Sequence, residues 1–199
     1  MSLWLIPTAL IWGGVVLFLR VYRVWILFYV VATIGCAYGL TMLARDPLNL
    51  DLLLGQSIAW SVHQLSVPLN LPTRIFAGAP TSLLVMVVSQ DVGWTLLKVG
   101  VESSGLLEMI VFISLLLFYP GQSRAQRARA ILIGCGLTWI ANVLRVLLII
   151  AMLQLFGKEA LVIAHSLVGK GVFFILTISI YWYLLTAPTV RMLGRENSQ

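Results

Sequence analysis

The sequence predicts an all-α polytopic membrane protein, with about five transmembrane helices, one outer interfacial helix and a short β-hairpin capping the outer face. Three observations lead there. Sixty per cent of the 199 residues are hydrophobic and 10% are charged, too little polar surface to solvate a globule of this size in water. Five apolar runs, beginning near Leu3, Val24, Gly105, Ala130 and Ser166, each approach the roughly 20 residues that cross a hydrocarbon layer. Arginines cluster after the first, third and fifth of these runs, as they do on the cytoplasmic side of membrane proteins.

The first run carries no basic residues before it; Arg20 and Arg23 come after it, which is the reverse of a cleavable signal peptide, so it is expected to stay as a helix. Arg124, Arg127 and Arg129 follow the third run, and Arg191 and Arg195 the fifth. An odd number of crossings then puts the N-terminus outside and six acids, Asp46, Asp51, Asp91, Glu102, Glu108 and Glu159, at or toward the outer side. The net charge of +6 is accounted for by these flanking arginines, so nucleic acid is not an expected partner, whereas membrane lipid is. Cys36 and Cys135 lie inside apolar runs, without metal-ligand spacing, and read as buried free thiols.

Between the second and third runs, residues 48–65 mix apolar side chains with Asp51, Gln56, His63 and Gln64, the pattern of an amphipathic helix at the outer interface, with Trp60 as anchor. Residues 74–101 turn β-branched and alternating. Segments 81–89 and 94–101 flank a Gln90-Asp91-Val92-Gly93 turn and predict the hairpin. It ends at Glu102-Ser103-Ser104-Gly105, at the mouth of the third run. No repeat or linker divides residues 1–199, so one domain is expected.

Arg145 is the most informative residue. An ionised side chain is costly in hydrocarbon, so a guanidinium inside the apolar run 131–156 calls for a partner or a hydrated cavity. Asn142 stands three residues earlier on the same face and can share a ligand with it. With a start near Ala130 on the inner side, a rise of about 1.5 Å per residue carries Arg145 roughly 22 Å up, into the outer half. Ser103 begins the third run at that level and His165 enters the fifth from the outside, so Ser103, Arg145 and His165 are expected to meet at one depth beneath the hairpin.

Glu102-Ser103-Ser104-Gly105, Asn142-Val143-Leu144-Arg145 and Ala164-His165-Ser166, in that order, resemble the motifs of the exosortase/archaeosortase family of membrane-embedded cysteine proteases and transpeptidases. That family carries a Cys-Ser-Gly-like motif at a helix start, then Asn-x-x-Arg, then His. The resemblance covers the second half of the chain, from about Val99. It implies a single transmembrane exosortase-like domain in the inner membrane with its site facing outward, and substrates that are exported proteins ending in a short motif, a transmembrane helix and a basic tail. It further implies that residue 103 forms an acyl-enzyme, that Arg145 stabilises the oxyanion and that His165 serves as general base and acid. Asn142, Ser104 and Glu102 are the expected substrate-binding residues; no metal or other cofactor is expected.

The departure is Ser103, where the family has its nucleophilic cysteine. A Cys→Ser replacement, a natural serine form and a pseudoenzyme all fit. A thiol can be activated by His and Arg alone, but a hydroxyl needs stronger base assistance, so the chain as written is expected to be poorly active or inactive. Ser103 also suits a helix N-cap, Arg145 could bond backbone carbonyls or Glu108, and His63 and His165 could be interfacial. Trp4, Trp94, Tyr181 and Tyr183 read as interface belts. A nucleophile elbow and a His-Glu-x-x-His zinc motif are both missing from the sequence. Two other functions remain open at this point: a small transporter or channel component binding an anionic solute at Arg145, and a non-catalytic membrane scaffold.

Overall fold

The computed structural model describes residues 5–46, 48–79, 82–89, 93–99, 103–119, 122–188 and 190. Its first two helices, α1 (Leu5–Val21) and α2 (Trp25–Arg45), fold back on each other through a turn in which Arg23 takes a left-handed conformation (φ 57°). Trp12 holds the pair together. Its indole Nε1 donates to the Val31 carbonyl at 3.0 Å, and the missing Cβ of Gly35 makes room for the ring.

α2 runs antiparallel to α4 (Leu106–Phe118): Tyr29 Oη donates to the Leu115 carbonyl at 3.2 Å at one end, while Ala44 packs with Leu106 and Ile110 at the other. α4 and α5 (Arg124–Phe156) are joined by a tight connection with a physical cause at each end. Ser123 and Gln126 form a reciprocal capping box that starts α5. Arg127 reaches back to the Leu117 and Tyr119 carbonyls at 2.6 and 2.8 Å, placing a cation on the electronegative end of α4. The expected start near Ala130 is therefore too late, and Arg124, Arg127 and Arg129 belong to the first turns of α5 instead of a loop.

α3 (Leu50–Ser66) departs from the helix lying across the outer end of the molecule. Trp139 Nε1 donates to Ser57 Oγ at 3.0 Å, and further along Gln154 Nε2 donates to the Asn70 carbonyl at 3.5 Å, so α3 runs alongside α5 in the same direction. The reason is its buried stripe, Gly55, Ile58, Ala59, Val62 and Ser66. Ile58, Ala59 and Val62 share one core with Val143, Val146, Ile149 and Ile150 of α5, and a face that packs this closely gains more from a protein partner than from lying flat. Trp60 remains outward and exposed.

The segment after α3 forms three strands, β1 (Thr73–Ala79), β2 (Ser82–Ser89) and β3 (Gly93–Val99), in an antiparallel sheet of order β1-β2-β3. β2 and β3 pair from Leu83 opposite Val99 to Ser89 opposite Gly93. β1 is a third strand that the sequence reading did not include. It is tied to α3 where His63 Nδ1 meets Thr73 Oγ1 at 2.9 Å, and Leu97 of β3 is buried in the α3–α5 core.

After a 3-10 turn at Lys158–Ala160 the chain returns as one helical stretch, Ile163–Thr186. Its centre is α6 (Lys170–Tyr181), flanked by π-wound turns at Ile163–Gly169 and Trp182–Thr186. Three helices, Trp25–Arg45, Arg124–Phe156 and Ile163–Thr186, are long and apolar enough to span a membrane; Ile6–Val21 and Leu106–Phe118 are apolar but shorter. Large apolar side chains such as Ile26, Leu132 and Leu167 are more than two-thirds exposed. A surface of that kind is compatible with a lipid surround and poorly suited to water.

Candidate functional site

The chain enters α4 through a turn at Ser103, Ser104 and Gly105 whose geometry follows from its residues. Gly105 caps the helix with φ 72°, a left-handed conformation that costs a residue with a Cβ about 1–2 kcal/mol. The Leu106 N–H donates to Ser104 Oγ at 3.3 Å, satisfying one of the free donors at the helix start. A Cβ on Gly105 would also lie 3.4 Å from Asn142 Nδ2. Gly105→Ala is thus expected to lower stability by about 1–2 kcal/mol, and Gly105→Asn by less because Asn tolerates left-handed φ. Thermal unfolding in detergent would test the order; equal losses would mean that the contact with Asn142, not the backbone, sets the cost.

Asn142 fixes that turn to the middle of α5. Its Nδ2 donates to the Ser103 carbonyl, and both Asn142 and Ser104 are wholly buried while Ser103 is nearly so. The amide's other end, Oδ1, is buried with no hydrogen-bond partner among the described residues. One turn further along, Arg145 is 3% exposed and its Nε is likewise unpartnered. Its guanidinium lies over the Phe173 ring of α6 at 5.3 Å from the centroid, and the carboxylate of Glu108 is near enough to act on it through charge. A cation–π contact contributes about 2 kcal/mol at best, against an effective desolvation cost of several kcal/mol per buried ion. The guanidinium is therefore under-compensated, which is the condition for holding an anionic or strongly polar ligand.

Ser103 and Ser104 are thus tied to α5 through Asn142, with Arg145 buried one turn along the same helix. His165 does not share their level. Gly169 seats on Ile149 and Phe173 on Arg145, so α5 and α6 run antiparallel and each step back along α6 moves toward the Phe156 end of α5. His165, eight residues before Phe173, stands roughly 10–12 Å further along the axis, toward the Phe156 end. There its neighbour Ala164 is buried with Ile150 and Leu153. His165 itself is half-buried in the π-wound Ile163–Gly169 segment, a winding that recurs at functional positions. Glu102 lies outside the described residues.

Two participants escaped the sequence reading. Phe173 offered no signal beyond being one of several aromatics. Tyr181, read as an interface residue, is instead half-buried: its Oη donates to the Glu108 carbonyl at 2.6 Å and its ring packs on Phe112 at 5.0 Å. It locks α6 to α4 beside the site. Among the described residues no group of three His, Cys, Asp or Glu side chains could hold a metal ion, and Cys36 and Cys135 are free, half-buried thiols remote from the Ser103 turn in sequence.

No protein-family model, curated protein or solved structure matches this chain.

Proposed function

We propose that this chain is a multi-pass inner-membrane peptidase or transpeptidase of exosortase type, with five crossings and a site facing outward, present with serine at the nucleophile position. The observation that carries the reading is the buried, under-compensated Arg145 guanidinium one turn from Asn142, whose amide grips the Ser103 carbonyl. A cation kept out of water without a full set of partners costs stability, and an oxyanion forming beside it would supply what is missing.

In this mechanism the residue at 103 attacks the scissile carbonyl of an exported protein's C-terminal sorting signal. The carbonyl oxygen gathers negative charge toward Arg145, and collapse expels the amine of the signal's transmembrane tail, leaving an acyl-enzyme for an acceptor nucleophile to resolve. The N-terminus of α4, just after Ser103, favours negative charge on a thiolate there. His165 is the general base and then the acid. Across the separation from Ser103 its proton must travel through water or by inward closure of the Ile163–Gly169 segment, a tightening that catalytic groups commonly undergo when substrate binds.

Expression of the Ser103 and Ser103→Cys forms in membranes, with an exported reporter ending in a candidate motif, a transmembrane helix and a basic tail, tests the reading. Cleavage by the Cys form alone is the expected result. An intact reporter with both forms, despite export, would favour the reading in which Arg145 binds a small anionic solute, to which the same unpartnered Nε lends support.

A further inference from the structure

The turn between α1 and α2, the connection from α4 into α5 and the last turns of the Ile163–Thr186 stretch gather at one end of the molecule. Phe28 of α2 meets Phe118 of α4 edge-on, ring centroids 6.0 Å apart, and Tyr29 meets Tyr119 at 6.3 Å. Arg127 ties the start of α5 to the α4 carbonyls there, and Gln122 Nε2 donates to the Leu184 carbonyl at 3.5 Å. Arg20 and Arg23, about the α1–α2 turn, and Arg124 and Arg129, in the first turns of α5, are all exposed at this end. The described acids are elsewhere. Asp46 ends α2, Asp51 begins α3, Glu159 follows α5, and Glu108 begins α4, about 15 Å of helix from Phe118.

Two of these arginines stand where the backbone disfavours them. α1 closes with a Val24 N–H to Leu19 carbonyl bond at 3.0 Å and an Arg23 N–H to Arg20 carbonyl bond at 3.2 Å, which puts Arg23 at the left-handed position that glycine ordinarily fills. A residue with a Cβ costs stability there. Arg124 opens α5 at the positive end of the helix dipole, where a cation is repelled and no acid in the first turn offsets it. Arg20, in the last turn of α1, is placed well by the same kind of dipole, and Arg127 is engaged with the end of α4. An anion from outside the chain would relieve both Arg23 and Arg124.

We propose that this end of the molecule binds the phosphate of an anionic phospholipid headgroup, held between Arg20 and Arg23 of the first hairpin and Arg124 of the second. Lipid is the source that the neighbouring surface favours. Tyr22 and Trp25 are 66% and 57% exposed beside Arg23, amphipathic rings of the kind that sit at headgroup level. The helix faces next to them carry the exposed apolar side chains of Phe18, Ile26 and Leu132, which acyl chains would cover. Guanidinium groups bond phosphate oxygens in pairs, so the cluster suits a phosphodiester better than a diffuse negative surface. A headgroup bound there adds a link between the α1–α2 and α4–α5 hairpins to the aromatic contacts that already join them. The proposal stands apart from the peptidase reading, because the cluster lies at the opposite end of α4 from the Ser103 turn.

The test follows the unfolding temperature of the delipidated full chain in detergent as phosphatidylglycerol, phosphatidylcholine or inorganic phosphate is titrated in. Saturable stabilisation by phosphatidylglycerol alone is expected, weakening as salt rises. Arg20→Gln, Arg23→Gly and Arg124→Gln should each weaken the apparent lipid affinity about 5-fold, the worth of one arginine near an anionic surface. Arg45→Gln, which removes an exposed arginine at the far end of α2, should leave it unchanged. Arg23→Gly is the sharpest case, since glycine suits the left-handed position: the lipid-free variant should unfold at a higher temperature than the parent and yet gain less from the lipid. Equal stabilisation by phosphatidylcholine, or an equal loss of affinity in Arg45→Gln, would overturn the proposal by showing that the effect is general. Saturation by inorganic phosphate at the same concentrations would assign the cluster to a soluble anion and overturn the lipid.

Discussion

Arg145→Met should make the protein more stable and, on the proposed peptidase mechanism, slow reporter cleavage by the Ser103→Cys form. The side chain is 3% exposed, its Nε has no hydrogen-bond partner among the described residues, and its compensation there is the Phe173 ring at 5.3 Å and the through-space charge of Glu108. Replacing a buried charge by an apolar side chain of similar volume is commonly neutral or stabilising by about 1–4 kcal/mol. Methionine is flexible enough to fill the guanidinium's space against Phe173. In the Ser103→Cys background the same change removes the proposed oxyanion partner, worth about 10²–10³ in rate. Paired measurements of unfolding temperature in detergent and of reporter cleavage would show the two effects moving in opposite directions. Destabilisation by about 3–5 kcal/mol is instead the signature of breaking a satisfied buried pair, and it would identify Arg145 as a structural residue.

The residues legible from the sequence were those whose chemistry is expensive in an apolar chain. Arg145 announced itself because no apolar run tolerates an ionised group without cause, and Asn142 followed from helical spacing; the structure ties Asn142 to the Ser103 turn and buries Arg145 one turn along α5. A hairpin flanking residues 90–93 was expected from the alternation, and β2 and β3 pair antiparallel there with Ser89 opposite Gly93, a register that the alternation did not specify. What escaped depends on partners that periodicity cannot name. The stripe of α3 reads the same whether it faces an interface or α5, and its partners in the structure, Trp139 bonded to Ser57 and the core shared with Val143 and Val146, distinguish them. The level of His165 escaped for a related reason. It is set by how α6 registers on α5 at Gly169 and Phe173 and by the π-winding between Ile163 and Gly169, neither of which leaves a mark on a hydrophobic profile. The start of α5 is legible in the sequence: Ser123 with Gln126 three residues later is a capping signature that places Arg124, Arg127 and Arg129 inside the helix.

Gly134→Val should uncouple α4 from α5 and carry the site with it. A Cβ at position 134 would overlap Phe112 Cε1 and stand 2.6 and 2.8 Å from Cζ and Cδ1, so the ring must move. It has nowhere easy to go. Phe112 is fully buried, its ring rests on Tyr181 at 5.0 Å, and Tyr181 is held by its hydrogen bond to the Glu108 carbonyl. Overpacking a filled core costs about 1–3 kcal/mol when it can relax, and a valine adds two further methyls to a space without room for the first. Asn142 lies eight residues along α5, roughly 12 Å of rise, so any widening between the helices also stretches the Asn142–Ser103 bond that positions the turn. Stability and reporter cleavage are both expected to fall. Pairing the change with Phe112→Leu tests the cause: if the ring is the obstacle, the double variant should recover about 1 kcal/mol or more relative to the sum of the single changes. Strict additivity would mean that the two residues do not meet as described, and the helix spacing at the site would then have to be set elsewhere.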